Sequence, residues 1–353
     1  MPGPRSYRFE TLKINGRLCS AFLAIFAAVD LNFHRKLSTA PMLDLTDRHW
    51  RNFARLLSRN ILLYTEMVVA NAVLRGNPER FLRCDEAEAP VALQLGGADP
   101  VALAEASKVA EAAGFCEVNL NCGCPSDKVQ SGAFGACLMK EPLRVAKCVE
   151  AMAEAVKLPV SVKCRIGVDD FDSWEFFRDF VSTLRDAGCQ VFIIHARKAW
   201  LKGLSPKENR EVPPLDYGRV FELKREFPDL TISLNGGLKT LAQAKEVLGR
   251  VDGAMIGRAA YEDPWMLHAA DREIYGVETK LPLTRKALLR SYLPYVEVAL
   301  AEGAPLTVLV PHVLGLFNGL PGARKFRQTL SEGASRTRDF GALLERAMGF
   351  VAE

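Results

Sequence analysis

The run Asn119-Leu120-Asn121-Cys122-Gly123-Cys124-Pro125-Ser126-Asp127 sets two carboxamides and a thiol within a few residues of one another. If the segment entering it is extended, Glu117, Asn119 and Asn121 share one face and Val118, Leu120 and Cys122 the other. Gly123 permits a sharp turn and Pro125 stiffens the chain beyond it, so Cys124 projects from a strand end in a fixed direction. Four uses of that thiol compete. A zinc site would want a second ligand pair at regular spacing, and Cys122-x-Cys124 has none. A nucleophile would want a base to lower its pKa; none is adjacent in sequence, although the fold can bring one. A general acid needs its proton kept, and a free thiol of pKa about 8.5 is more than about 90% protonated at pH 7. Proton donation is therefore the natural use. The fourth use, a merely buried cysteine, suits most of the other eight cysteines better.

Two glycine-rich stretches suggest an anion site. Asn235-Gly236-Gly237 and Gly257-Arg258 each end an apolar run, and absent side chains let a phosphate approach backbone N–H groups beside a cation. With a cofactor phosphate fixed there, other polar residues at the ends of apolar runs fall into place around a flavin. Lys163 can balance charge on the N1/O2 edge of a reduced ring, Gln94 can hydrogen-bond the ring edge, and the Ala40-Pro41-Met42 backbone can support it from below. His195 also ends a run; taken alone, it reads better as a satisfied core histidine.

Eight short β-rich runs supply these ends: 37–43, 62–67, 91–97, 115–121, 160–167, 191–197, 231–237 and 253–259. Amphipathic stretches lie between them, at 100–113, 141–156, 173–187 and 241–248. Strands alternating with helices imply a parallel sheet, and eight such units imply an α/β fold of the (β/α)₈ barrel type. Barrels of this kind keep their chemistry at strand C-terminal ends, and the phosphate corner after strands seven and eight agrees with the glycines. A doubly wound sheet is the rival, but its G-x-G-x-x-G fingerprint is absent. After Pro282 helical periodicity takes over. The expected organisation is a catalytic barrel at 37–278, a linker at 276–282 and a small all-helical domain at 283–353. Residues 1–36 form an extension of uncertain status.

The 353 residues, 49% hydrophobic and 25% charged, suit a soluble protein with a sizeable core. A net charge of +4 means that any nucleic-acid footprint must be local. An odd number of cysteines, nine, scattered through apolar runs, fits a reducing cytoplasm rather than a disulfide framework. Residues 18–29, LCSAFLAIFAAV, come after several basic residues and imitate a signal peptide, but are too short to span a membrane as a helix. A packed extension or an early start codon explains them better.

LSTAPML, NLNCGCPSDKVQSGAFGACL, VSVKCRIG, IIHARKAWLKGLSPKENREVPPLDY, LNGGL and MIGRAAYEDP together resemble the tRNA-dihydrouridine synthases, most closely their A-type subfamily, from about Leu37 to about Gly333. The cysteine motif and the SPKENREVPP block are the specific parts. The resemblance implies an FMN-bearing barrel that reduces the C5–C6 double bond of a D-loop uridine, at position 20 or 20a, with NADPH as reductant. It implies hydride transfer from flavin N5 to C6 and protonation of C5 by Cys124. FMN contacts would be Ala40, Pro41, Met42, Gln94, Lys163, His195, Asn235, Gly236, Gly237, Gly257 and Arg258. Contacts with tRNA would be Asn121, Lys207, Arg210, Arg324 and Arg327. The basic loop Arg197-Lys198…Lys202…Lys207…Arg210 is where phosphate contacts are expected. No metal and no membrane are called for, and a cytoplasmic monomer is expected. Two rivals remain at this point: a flavin reductase of a free pyrimidine or enone, and a catalytically silent tRNA-binding protein.

Overall fold

A computed structural model describes residues 30–77 and 81–353. All eight expected runs form strands, β1 (Leu37–Thr39), β2 (Leu63–Val69), β3 (Val91–Gly96), β4 (Glu117–Cys122), β5 (Val160–Arg165), β6 (Val191–His195), β7 (Thr231–Asn235) and β8 (Gly253–Ile256). They pair in parallel in the order β1-β8-β7-β6-β5-β4-β3-β2. A parallel bridge between Ser38 and Leu62 brings the two ends together, so the sheet closes as a (β/α)₈ barrel.

The alternation along each strand decides which side chains face which core. Val118, Leu120 and Cys122 of β4 are fully buried in the shell between strands and helices, while Glu117, Asn119 and Asn121 turn inward. Helices Pro100–Ala112, Pro142–Ala155 and Trp174–Asp186 cover the outside. Their starts are set locally: the Asp99 side chain accepts the Ala102 N–H with Pro100 behind it, and Ser173 accepts the Phe176 N–H. A smaller apolar cluster includes Leu62, Tyr64, Ala92, Cys116, Ile193 and Met255, and Met255 reaches the cleft at the mouth.

Two features add to the reading of the sequence. Helix Arg48–Leu57 is not among the stretches named above, and its Arg51 and Arg55 are buried. Arg51 Nε donates to Glu88 Oε2 at 2.6 Å, and Arg55 donates to the carbonyls of Ser58, Arg59, Glu88 and Pro90. Residues 30–36, assigned above to the extension, are packed: helix Leu31–Arg35 sits under the barrel with Arg35 buried. The apolar run 18–29 lies outside the described residues.

Beyond β8 the described chain is helical, with Arg285–Ala301, Ala323–Gly333 and Phe340–Met348 as its main elements. This part is bolted to helix Arg48–Leu57. Tyr292 packs edge-on against Phe53 and its hydroxyl donates to the His49 carbonyl at 2.9 Å. Glu302 pairs with both Arg48 and Arg83. Among the described residues no helix is long and apolar enough to cross a membrane, and no group of three or more His, Cys, Asp and Glu is arranged to hold a metal ion.

Candidate active site

A cleft of about 1390 Å³ opens at the C-terminal ends of the strands. All eleven residues read as flavin contacts line it, as do Cys124, Asn121, Lys207 and Arg210. Its volume exceeds the roughly 300–1,000 Å³ of a pocket for one small ligand, which leaves room for a second ring beside a cofactor.

The backbone around Cys124 is held from several sides. Asn121 Oδ1 accepts the N–H groups of Gly123 and Cys124 at 3.1 and 3.0 Å. Arg165 Nε donates to the Gly123 carbonyl at 2.9 Å, and the Ala136 N–H donates to the Cys124 carbonyl at 2.9 Å. The turn is thus made by the Asn121 side chain. Gly123 is not in the left-handed region, which corrects the role given to it above. Left-handed freedom is needed instead at Gly135 (φ 81°), where a Cβ would come within 2.6 Å of the Cys124 carbonyl oxygen. Arg165 and Gly135 were missed as positioning residues. Only the GAFGACL tail of the quoted motif hinted at the second.

Among the described residues Cys124 is the one cysteine lining the cleft. Cys122, two residues earlier, is fully buried on the outer face of β4, and burial pushes its thiol well above the ordinary range.

Beside it, starting on the neighbouring strand β5, lies a run of cations. Lys163 Nζ donates to Asn235 Oδ1 at 3.0 Å, and Asn235 Nδ2 donates to the Met255 carbonyl at 2.8 Å. Burial, then repulsion from Arg165, lowers Lys163 to about 8. His195 is held neutral: burial and then Arg165, Lys163, Arg197 and Arg210 push it well below its usual value. Its Nδ1 is buried without a hydrogen-bond partner, so the reading of His195 as a satisfied core histidine is corrected. Among the described residues eight Lys and Arg face four Asp and Glu around the cleft. That imbalance focuses a positive potential suited to an anion.

At the phosphate corner Gly236 and Gly237 adopt φ of 106° and 74°. A Cβ on Gly236 would press on the His195 ring at 3.3 Å, and one on Gly237 would meet Leu215 at 2.4 Å. At Gly257 the nearest protein atoms to an added Cβ are 3.6 Å away, so the protein itself leaves that space free. An anion-bearing ring system therefore fits the residues present: bare backbone at one end, an unpartnered imidazole nitrogen and a lysine in the middle.

Other expected residues are engaged elsewhere. Arg258 pairs with Glu211 at 2.6 Å. Lys198 pairs with Asp172 and sits over the Trp200 ring, outside the cleft. Arg197 reaches the cleft wall, its Nη1 donating to the Pro213 carbonyl at 2.5 Å. Lys207 and Arg210 reach the cleft and have no ion pair among the described residues. Arg324 is exposed on helix Ala323–Gly333 and does not line the cleft, whereas Arg327 donates to Asn318 Oδ1 at 2.6 Å, and Asn318 does.

Comparison with known proteins agrees with this geometry. The profile of the dihydrouridine synthase (Dus) family matches residues 38–350, further toward the C-terminus than the motifs alone carried the resemblance. The tRNA-dihydrouridine(20/20a) synthase of Shigella flexneri is 54% identical over 325 residues, which cover 92% of this chain and 95% of that protein. That of Escherichia coli strain K12 is 54% identical, covering 92% and 94%. That of Shewanella oneidensis is 55% identical over 305 residues, covering 86% and 90%. With its cysteine, lysine and glycine loops gathered at one barrel mouth and its sequence matched almost from end to end, this chain belongs to the dihydrouridine synthase family.

Proposed function

We propose that the chain reduces the C5–C6 double bond of uridine 20 or 20a in the tRNA D-loop, with FMN seated in the cleft and NADPH as reductant. The observation that carries this reading is the juxtaposition of one cleft-lining thiol, Cys124, with Lys163 and His195 in a space larger than a single cofactor needs. The identity of the curated relatives supports the choice of uridines.

When bound, the flavin supplies the hydride that is added at C6. The protein's own residues do the rest. Cys124 gives its proton to C5 from a loop that Asn121, Arg165 and Ala136 hold in place. Lys163 opposes negative charge on the ring edge, and neutral His195 offers Nδ1 to it. Gly236, Gly237, Gly257 and Arg258 take the phosphate, Arg258 exchanging Glu211 for it. Extruding a stacked base costs a few kcal/mol, and Lys207 and Arg210 at the rim offset that cost through tRNA phosphates. The helical part, with Arg324 and Arg327, extends this contact. The enzyme works as a monomer in the cytoplasm, where its substrate is.

The test is direct. Protein reduced with NADPH under anaerobic conditions is mixed with tRNA lacking dihydrouridine, and the flavin band is followed. Reoxidation that yields dihydrouridine at position 20 or 20a, faster than with free uridine, is expected. Equal rates with free uridine would favour a small-molecule reductase and overturn the proposal.

A further inference from the structure

A polar chain runs up the barrel lumen from its floor to the Cys124 loop. At its foot, Glu117 is fully buried at the start of β4, and Arg35, Tyr64 and Ser161 all donate to its carboxylate. Asn119 Nδ2 donates to Ser161 Oγ at 2.8 Å, and Gln94 Nε2 donates to Asn119 Oδ1 at 2.7 Å. Asn121 Nδ2 donates to Gln94 Oε1 at 2.8 Å, and the Cys124 N–H donates to Asn121 Oδ1 at 3.0 Å. From the Cys124 N–H to the Glu117 carboxylate, every bond donates downward.

That direction is dictated at both ends. An ionised carboxylate can only accept and a backbone N–H can only donate. A carboxamide can sit either way round in its slot, and three of them in series leave the polarity open until something fixes it. Glu117 fixes it from below. Ser161 must give its hydrogen to the carboxylate, so it accepts from Asn119. Asn119 then turns its oxygen to Gln94, and Gln94 its oxygen to Asn121. In that arrangement Gln94 and Asn121 each keep one N–H free of the chain. A reversed chain would aim an Asn121 N–H at the Cys124 N–H, two donors face to face. Aligned hydrogen bonds of this kind also strengthen one another.

The ion pair at the foot is a poor candidate for a purely stabilising device, because buried pairs often yield no net stability over apolar residues of similar volume. We propose that Arg35 and Glu117 are positioning residues for the reaction: they orient the Ser161-Asn119-Gln94-Asn121 chain so that Gln94 and Asn121 present donors to the cleft and the Cys124 loop stays seated. This rests on the cleft being the reaction site, but its test does not rest on turnover alone. It also gives a role to the segment just before β1, which the motif-based reading left without one.

Ser161→Ala cuts the chain one rung above the ion pair while leaving Arg35, Tyr64 and Glu117 together. The paired change Arg35→Met with Glu117→Leu removes the foot while keeping it filled. Both variants are compared with wild type for the flavin absorption band, for the rate at which iodoacetamide alkylates Cys124, and for kcat and KM with tRNA. The expected result is a displaced flavin band, alkylation of Cys124 several-fold faster, and kcat lowered about tenfold with KM changed less than about threefold. Ser161→Ala carries the decision if the paired variant does not fold. Band, alkylation rate and kcat all at wild-type values in a folded Ser161→Ala variant would overturn the proposal. If wild-type protein itself fails to turn over tRNA, the activity reading falls, and the band and the alkylation rate still decide on the chain.

Discussion

Lys163 Nζ donates to Asn235 Oδ1 at 3.0 Å across the mouth of the barrel, joining the end of β5 to the end of β7. The bond holds a cation where burial disfavours it, since Lys163 is lowered to about 8. Its folded-state value lies below that of the unfolded chain. Burying the charge therefore costs stability at pH values below about 8, and the cost is relieved as the pH rises from there toward the unfolded value. Lys163→Met should raise the melting temperature of cofactor-free protein at pH 7, by an increment worth about 1–2 kcal/mol, while reducing turnover. Wild-type FMN affinity should weaken as pH rises through 8, and that of the Met variant should not. Thermal melts and flavin titrations at pH 6.5 and 9 check this.

Replacing Cys124 by Ala should abolish dihydrouridine formation while reduction of the bound flavin by NADPH persists. Cys122→Ala should do the reverse, costing about 1 kcal/mol of stability through a small cavity in the shell and leaving product formation in place. Product analysis by mass spectrometry of digested tRNA separates the two. Loss of product in the Cys122 variant would mean that the wrong thiol has been assigned.

Arg258 cannot serve a phosphate and Glu211 at full strength together. Their ion pair is exposed, at 36% and 48% of side-chain surface, and so is worth little by itself. Glu211→Gln should tighten FMN binding by up to about fivefold, and Arg258→Ala should weaken it by more than that. Fluorescence quenching of free FMN gives both values.

Lys207 and Arg210 lie at the cleft rim, and Arg324 lies away from it. If Lys207 and Arg210 meet tRNA phosphates, each Ala substitution should lower the slope of log affinity against log salt by about 0.7–0.9. Filter binding at several salt concentrations measures this. For Arg324 an unchanged slope would remove it from the interface.

The range of each interaction explains how much of this was legible in the sequence. Strand composition is local, and the short β-rich runs located all eight strands. Strand ends were drawn too long where a turn depends on contacts elsewhere. β1 stops at Thr39, and the chain beyond it turns at Asp44, left-handed at φ 62°, with its N–H held by Glu66 at 2.5 Å. β8 stops at Ile256 because Gly257 opens a helical turn. The cleft residues were legible because each ends a strand, and strand ends meet in a barrel. Arg51, Arg55 and the Arg35–Glu117 pair were not, since Glu88, Pro90 and Glu117, which receive their heads, lie tens of residues away and nothing in a basic residue's neighbours says whether its head is buried. The pairing of Lys198 was hidden for the same reason: its charge was visible, but Asp172 beside it was not.

The docking of Tyr292, Tyr295 and Glu302 onto helix Arg48–Leu57 makes barrel and C-terminal helices a single stiff body. If those helices grip the tRNA, as proposed, it is held at a set distance from Cys124, and the enzyme would act as a ruler. Which nucleotide is converted then becomes a question of length along the RNA. Inserting one residue into the D-loop should shift the modified position by one, whatever base stands beside it.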